Sequence, residues 1–287
     1  NDSVMAYLDA ENHYFNNYFK PLRQSEKELL RQLVMPIPKS DSSLPTLIGG
    51  FYYQSIYKPD EMYPYVMRYD SNMENRIELF NLNELSENNN FYTISRIEPT
   101  PSGEKVLFLE NTTGTDRNTL KIKDVSNNSI LSDSIENVGN ALWLSEHELL
   151  YTSLDPVTFR ANKLIYRDLN QSEPKVIYEE KDPQFSISIS QSSSREIVIM
   201  SLNSKDASEI YFARKKSGLP SFKLLISREL SCNNYVQQAG ERFYRITDQG
   251  APNYRILSCD TTYTEDVTWK EIYRPKKRSA CDRFPSI

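Results

Sequence analysis

The apolar stretch Val106-Leu107-Phe108, followed about 16 residues later by Asp124, decides the fold because it recurs along the chain. Four similar stretches occur at intervals of about 43 to 55 residues: Phe51-Tyr52-Tyr53, Leu149-Leu150-Tyr151, Ile197-Val198-Ile199 and Arg242-Phe243-Tyr244. Each precedes a second predicted strand that ends in a charged residue, and these residues are Asp70, Asp124, Asp168, Lys215 and Asp260. Self-similarity at this period, with about four strands per unit, predicts a β-propeller.

The repeats divide the chain into five predicted units, which span about residues 46–85, 91–135, 138–180, 184–228 and 233–273. In the fourth unit, Phe185-Ser186-Ile187-Ser188-Ile189 alternates with period two, as a half-buried strand does. Turn-forming sequences such as Pro101-Ser102-Gly103 lie between predicted strands. We therefore predict a mainly β fold, a propeller-like array of about five four-stranded blades.

Helical patterns precede the first blade. An apolar stripe begins at Met5, Pro21 interrupts it, and Ser25-Glu26-Lys27-Glu28 is a capping-box pattern for a second helix. Pro36 and Pro38 end that helix. The predicted organisation is a helical N-terminal arm and linker at residues 1–45, an incomplete array of blades at 46–273, and a divergent basic tail at 274–287. The tail is expected to be solvated.

Composition limits the partners and the compartment. The formal net charge of −5 lacks the basic surface that nucleic-acid binding requires, so no nucleic-acid partner is expected. No run of about 18 apolar residues occurs, and we expect no membrane span. The three cysteines, Cys232, Cys259 and Cys281, are odd in number and widely spaced. This spacing indicates free thiols in a reducing compartment and predicts a cytoplasmic protein.

Recognisable catalytic motifs are absent from the sequence. No two of the eight glycines stand four residues apart, so a Gly-x-Ser-x-Gly nucleophile elbow is excluded. The two histidines, His13 and His147, lie outside any nucleophile motif, and we expect surface or packing roles for both. Neither Cys-x-x-Cys nor His-x-x-x-His occurs, and no Gly-rich phosphate loop is present. We therefore predict no catalytic residue, no metal site and no cofactor.

Acidic residues at strand ends are interpreted as structural. Glu179-Glu180 and Asp182, with Lys181 between them, are expected to be solvated at the end of an outer strand. The recurring aspartates that end the second strands are expected to accept hydrogen bonds from turn N–H groups.

Several stretches resemble the N-terminal region of the prolyl oligopeptidase family, most closely its oligopeptidase B branch. They are YLDAENHYF (residues 7–15), FYTISRIEPTPSGEKVLFLENTTGTDRNTLKIKDV (91–125), LDPVTFRANKLIYRDL (154–169) and VIYEEKDPQFSISIS (176–190). The most specific segment is Asp155-Pro156-Val157-Thr158 together with Tyr166-Arg167 and Tyr178-Glu179-Glu180. The resemblance covers about residues 5–273.

This resemblance implies a helical arm and a seven-bladed propeller that cap an α/β-hydrolase domain with a Ser, Asp and His triad. Enzymes of the oligopeptidase B branch cleave short peptides after Arg or Lys, and the propeller limits which peptides enter. The present sequence ends after five units, and no position matches the triad. It is interpreted as the truncated, non-catalytic gate of a serine peptidase, inactive alone. Its expected partners are a hydrolase domain, missing or supplied separately, and, transiently, short peptides.

A second hypothesis is a stand-alone propeller that serves as a protein-interaction scaffold without peptidase activity. Propellers close with four to eight blades, so five units are compatible with it. Residues 274–287 offer no closing strand, which weakens this interpretation. An open array would expose strand edges, and we expect poor solubility or dependence on a partner for the isolated chain.

Overall fold

The structure, a computed structural model, describes residues 2–171, 173–229, 231–262 and 268–275. Two helices precede a series of antiparallel, four-stranded blades. This architecture confirms the predicted mainly β fold with a helical arm. Most of the basic tail predicted at 274–287 lies outside the described residues.

The arm consists of α1 (Asp2–Phe19), a 3-10 turn (Lys20–Leu22) and α2 (Arg23–Val34). The turn contains Pro21, which lacks the N–H that a continuous helix would need. No residue in α1 or α2 is buried. The arm therefore gains little stability from burial against the blades.

Blade one has four principal strands and one short additional strand. They are β1 (Asp41–Ser42), β2 (Thr46–Ile48), β3 (Phe51–Tyr57), β4 (Tyr65–Tyr69) and β5 (Ile77–Asn81). Both β1 and β2 pair with β3, and β4 and β5 follow in order. A short helix, α3 (Leu82–Ser86), follows β5, and the side chain of Asn81 caps its N-terminus.

Blades two and three share one continuous sheet. Its strands are β6 (Thr93–Pro99), β7 (Lys105–Asn111), β8 (Asn118–Asp124), β9 (Ser129–Ile130), β10 (Ile135–Trp143), β11 (Glu148–Leu154), β12 (Ala161–Asp168) and β13 (Lys175–Glu179). The first part of β10 pairs with β8 and its second part pairs with β11. The predicted boundary between the second and third units thus falls inside one strand.

Irregular backbone allows β10 to change partners. Asn137 has a positive φ of 56° and the register shifts on both sides of Val138. A Cβ at Gly139 would lie 3.0 Å from side-chain atoms of Leu154 and Thr152. Glycine therefore permits the close approach of β10 to its neighbour at this bulge.

Blades four and five are separate four-stranded sheets. Blade four contains β14 (Ser186–Gln191), β15 (Ile197–Asn203), β16 (Ser208–Arg214) and β17 (Lys223–Glu229). Blade five contains β18 (Asn234–Ala239), β19 (Arg242–Thr247), β20 (Arg255–Asp260) and β21 (Lys270–Tyr273). In both, the strands pair in chain order.

The core lies between the blades. On β7, Val106 and Phe108 pack against blade one, whereas Leu107 and Leu109 pack against blade three. The same division holds on β15, where Val198 and Met200 face blade three and Ile197 and Ile199 face blade five. Continuous apolar runs are typical of strands that are buried on both faces. The recurring triplets of the sequence are therefore the second strands of the blades.

Blade five is covered by blade four on one face only. Along β18, Asn234, Val236 and Gln238 are buried, while the alternating side chains are exposed. Tyr235 is 59% exposed and Ile246 on β19 is 42% exposed. This exposed apolar face is consistent with the predicted poor solubility of the isolated chain, which stays a prediction.

Removing buried volume between two blades should destabilise the array. Leu150 on β11 is 0% exposed and belongs to the cluster between blades three and four. We expect Leu150→Ala to lower the free energy of unfolding by about 3 kcal/mol. Val157→Ala, at a position 81% exposed, serves as the control and should change it by less than about 0.5 kcal/mol. Equilibrium unfolding in urea measures both, and equal losses would contradict the interblade core.

Candidate functional site

The histidines lie on different exposed parts of the molecule. His13 is on α1 and His147 is in the turn between β10 and β11. In the part of the chain that the structure describes, no group of three or more His, Cys, Asp and Glu side chains is placed to hold a metal ion. The expected absence of catalytic, metal and cofactor residues stays a prediction.

One of the acidic residues at the end of β13 differs from expectation. Glu180 is only 5% exposed, so its predicted solvation is wrong, whereas Glu179 is exposed as predicted. Its carboxylate accepts from Arg228 Nη2 at 2.6 Å and from the backbone N–H of Asp182 at 2.8 Å. Arg228 also pairs with Glu209 at 3.0 Å and lies over the ring of Phe185. Glu180 is buried because it joins the outer strands of blades three and four, a contact between distant segments.

Turn hydrogen bonds confirm the predicted role of three aspartates. The carboxylates of Asp70, Asp124 and Asp168 each accept from a backbone N–H of the following turn, at 2.9 Å in the shortest case of each. Asp260 instead pairs with Arg242 at 3.4 Å. These aspartates hold turns in place and are not arranged as catalytic pairs.

In blade four, the position that aspartate occupies in blades two and three is occupied by Arg214. The prediction that Lys215 lies at this position is therefore wrong by one residue. Arg214 pairs in register with Ile197, as Asp124 pairs with Lys105 and Asp168 with Glu148. Both Arg214 and Lys215 are charged, so the sequence offers no signal to choose between them. Lys215 lies one position further on, where its side chain turns toward the first strands of the blades.

The candidate site is a cavity of about 510 Å³, here called the central pocket, between the turns that follow the first strands of blades one to four. Its lining residues are Gly49, Pro101, Trp143, Leu144, Arg195, Glu196, Arg214 and Lys215. First strands of neighbouring blades contact one another here, since β10 lies against both β6 and β14. The pocket thus lies where the blades converge.

A buried carboxylate connects blades two and four beside this pocket. Glu98 on β6 is 5% exposed and accepts from Arg195 Nη2, from Arg96 Nη2 at 3.0 Å and from Gln191 Nε2 at 2.5 Å. Arg195 also donates to the carbonyl of Pro99 at 3.2 Å. Because a buried carboxylate is costly without partners, the pair with Arg195 constrains how far blades two and four can separate.

Arg195 has an unfavourable backbone conformation. Its φ is 63°, in the left-handed region that favours glycine. The same turn position in blade two is Gly103, with φ of 73°, and both N–H groups close the turn by donating three residues back. An arginine at a position suited to glycine costs roughly 1 kcal/mol. The contacts of the Arg195 side chain with Glu98 and Pro99 explain why an arginine occupies this position.

Lys215 is the most perturbed cation at the pocket. Its Nζ donates to the carbonyl of Trp143 and to Gln191 Oε1, both at 2.6 Å. Burial lowers the pKa of Lys215 from its ordinary value of 10.5 to about 8, and the nearby Arg195 contributes in the same direction. Glu98 opposes this shift, and Arg96 adds to it. Burial is thus the main reason that the charged form of Lys215 is disfavoured.

A second candidate surface lies on the arm. Phe15, Phe19, Leu22 and Leu29 line a cleft of about 370 Å³ between α1 and α2. The large apolar side chains of this region are all exposed: Val4, Met5, Tyr7, Leu8, Tyr14, Phe15, Tyr18, Phe19, Leu22, Leu29, Leu30, Leu33, Val34, Met35 and Ile37. An apolar surface of this extent is typical of an interaction site.

Two of the three cysteines are described, and both are free and buried. They are Cys232 and Cys259. Burial raises the pKa of the Cys259 thiol to about 11, and Asp260 adds to this shift. Cys281 lies outside the described residues. Within those residues, no helix has the length and apolarity that a membrane span requires.

Helical arm, repeated blades and interblade core define a propeller domain. The chain belongs to the family described as the prolyl oligopeptidase N-terminal β-propeller domain, whose family model matches residues 1–284. The predicted family membership is therefore confirmed.

Relatives of this family are longer than the present chain. Protease 2 of Moraxella lacunata is 28% identical over 273 residues, which cover 90% of this chain and 39% of that protein. Dipeptidyl aminopeptidase BI of Pseudoxanthomonas mexicana is 25% identical, with 94% and 40% covered. The chain thus spans about two fifths of the length of these relatives.

Solved structures agree with the fold. Oligopeptidase B from Leishmania major superposes with a TM-score of 0.79 at 20% identity, covering 91% of this chain and 38% of that one. Oligopeptidase B from Trypanosoma brucei, solved with covalently bound antipain, gives 0.77 at 19% identity, covering 93% and 39%. The chain is therefore close in fold to the propeller-containing part of oligopeptidase B.

The contact between blades two and four can be tested by a double-mutant cycle. We expect Glu98→Gln and Arg195→Gly to show a coupling of about 1–2 kcal/mol in the free energy of unfolding, because either change removes the ion pair between a buried carboxylate and a partly buried guanidinium. Glycine is chosen because it tolerates the positive φ. The exposed pair Arg242 and Asp260 is the control, with an expected coupling below about 0.5 kcal/mol. Additive effects at Glu98 and Arg195 would contradict the contact.

Lys215 predicts a specific pH dependence of stability. Because its pKa is about 8 in the folded chain and 10.5 ordinarily, the unfolded chain binds more protons between these values. The free energy of unfolding should therefore rise with pH in that range. Below about pH 8 the folded chain carries the full cost of the buried charge on Lys215. Relative to Lys215→Gln, the original chain should gain about 1–2 kcal/mol between about pH 7 and pH 9.5. Urea unfolding at both pH values measures this gain, and parallel changes in the two proteins would refute it.

Proposed function

We propose that this chain is the non-catalytic propeller portion of an oligopeptidase B-like serine peptidase, where it limits access to an α/β-hydrolase domain according to substrate size. Family membership supports this role, as does the length of the relatives, of which the chain spans about two fifths. In this role the propeller contributes an enclosure around the reacting groups and not the reacting groups themselves.

The apolar surface of the arm is the observation that carries the proposal. The helices expose Phe15, Leu22 and Leu29 around a cleft, and no residue of α1 or α2 is buried. Burial of such side chains contributes roughly 1.5–3 kcal/mol each, so a stable cover is favoured. We infer that the hydrolase domain provides this cover, because the relatives contain additional chain.

The central pocket supports the role in size selection. Four blades converge around it, and the contact of Glu98 with Arg195 connects blades two and four across its side. Blades that are held together at the turns separate only if such contacts break. Short or flexible peptides would enter an enclosure of this kind more easily than folded proteins.

Cleavage after Arg or Lys is the proposed specificity of the whole enzyme. Two similar solved structures are oligopeptidases B, whereas one relative is a dipeptidyl aminopeptidase. The test must therefore compare substrates. We also propose a cytoplasmic location, which the buried free thiols of Cys232 and Cys259 support.

Peptidase assays of the chain with and without a hydrolase region test the proposal. We expect no cleavage by the 287-residue chain alone. Combined with a separately expressed hydrolase region of the same peptidase family, it should support cleavage of fluorogenic peptides after Arg and Lys, at least about 10-fold faster than after Pro. A folded protein that contains the same Arg and Lys cleavage sites should resist cleavage. Cleavage by the isolated chain, with contaminants excluded, would overturn the proposal.

The covering of the arm is tested by one substitution and its matched control. Leu29→Asp places a charge in the apolar cleft and should weaken association with the hydrolase region by at least about 10-fold. Gln24→Asp adds the same side chain at an exposed polar position of α2 and should leave association unchanged. Co-elution in size-exclusion chromatography with light scattering reads out both. Equal association of the two variants would show that the arm surface is not the contact, and a stable lone monomer would favour the scaffold hypothesis.

A further inference from the structure

Blade four places three cations at the central pocket. Arg195, Arg214 and Lys215 all line it, whereas Glu196 is the one acidic residue among its lining residues in the described part of the chain. All three cations lie at one end of blade four, with Arg195 in the turn before β15 and Arg214 and Lys215 at the end of β16. The cationic character of the pocket is thus a property of a single blade.

The corresponding positions of other blades carry no cation. Hydrogen bonds align the turns, because the N–H of Lys215 donates to Glu196 as that of Val125 donates to Glu104. At the position of Arg195, blades two and five have Gly103 and Gly240. At the position of Arg214, blades two, three and five have Asp124, Asp168 and Asp260. At the position of Lys215 they have Val125, Leu169 and Thr261. Turn formation therefore does not require these cations.

Contacts within the chain leave much of this charge uncompensated. Lys215 donates to a carbonyl and to an amide oxygen, both of which are neutral. Arg214 donates to the carbonyl of Thr261 at 3.4 Å, also neutral. Glu98 is shared between Arg195 and Arg96. Neutral acceptors satisfy hydrogen bonds but do not remove the repulsion between like charges.

We propose that the central pocket binds a ligand bearing a carboxylate or phosphate group, with Lys215 and Arg214 as the groups that hold the anion. Leu144 and Pro101 contribute apolar atoms beside these cations. A volume of about 510 Å³ lies in the range of small-molecule sites. The ligand is therefore a small anion with an apolar portion, such as an acidic peptide segment or a phosphorylated metabolite.

Charge-assisted hydrogen bonds explain why an anion is favoured here. A bound anion would lessen the repulsion between Arg195 and Lys215 and would favour the protonated form of Lys215. The lowered pKa of Lys215, about 8, is consistent with a cation that lacks such a partner. The inference rests on the charges at the pocket, and the proposed peptidase function does not require an anion there, so each can fail without the other.

Isothermal titration calorimetry of the 287-residue chain tests the site with three probes at constant ionic strength. The first probe is sodium sulfate, the second is an acetylated peptide that ends in Glu, and the third is inorganic phosphate. Small anions at such a pocket are expected to bind with a Kd of about 1 mM or lower. Displacement of sulfate by the peptide would identify peptide carboxylates as ligands, whereas displacement only by inorganic phosphate would indicate phosphorylated ligands. Absence of saturable binding by every probe would overturn the proposal.

Matched variants locate the binding. Lys215→Gln and Arg214→Gln should each weaken sulfate binding by at least about 5-fold, because each removes one charge-assisted hydrogen bond. Lys175→Gln makes the same change at an exposed position of β13 and should have no effect. Arg214 is exposed, so its variant is expected to fold even if Lys215→Gln does not. Equal affinities in all three variants would place the anion elsewhere.

A pH series provides a readout that a merely structural role would not change. Lys215 is faced by Arg195 of blade four and by Glu98 and Arg96 of blade two, with Arg214 and Glu196 also at the pocket. Sulfate stays fully ionised above neutral pH, so a change in affinity reflects the protein. Affinity should fall at least about 3-fold between about pH 7 and pH 9 in the original chain and stay constant in Lys215→Gln. A constant affinity in both would overturn the assignment to Lys215.

Discussion

A blade of this protein buries both of its faces only when another blade lies on each side, and the rest of the structure depends on this constraint. The second strands show it directly: Leu107 and Phe108 are adjacent and both 0% exposed, yet they contact different blades. A blade that lacked a neighbour on one side would leave one of them in water, at a cost of roughly 1.5–3 kcal/mol. Blade five illustrates the consequence, because its face away from blade four leaves Tyr235 exposed.

Stacked blades bring their turns together, and the polar contacts of the molecule concentrate there. Ser102 of blade two donates to Glu146 of blade three at 2.7 Å, and the indole N–H of Trp143 donates to the carbonyl of Glu98 at 2.9 Å. Lys215 of blade four in turn donates to the carbonyl of Trp143 in blade three. These contacts hold the first strands at a fixed spacing. Function on such a scaffold is expected at the turns, because they can vary without disturbing the core between the blades.

The arm and the central pocket relate differently to this scaffold. The arm contributes no buried residue, while its apolar side chains are oriented around a cleft that a partner could fill. The central pocket, in contrast, is formed by blades one to four and is rigidly supported by them. Both features agree with the proposed role. The hydrolase domain would cover the arm, and the blades would limit access to it. The proposed binding of an anion at the pocket is not required by the gating role alone.

The sequence by itself determined the repeat period, the mainly β class, the helical arm and the turn-closing role of Asp70, Asp124 and Asp168, because each depends on residues close together in the chain. Only the tertiary structure decided that Glu180 is buried, since its partner Arg228 lies 48 residues away on another blade. It also decided that Arg214 occupies the aspartate position and that Lys215 turns toward the central pocket. Strand register distinguishes these two adjacent cations, and register is set by pairing between strands and by packing between blades.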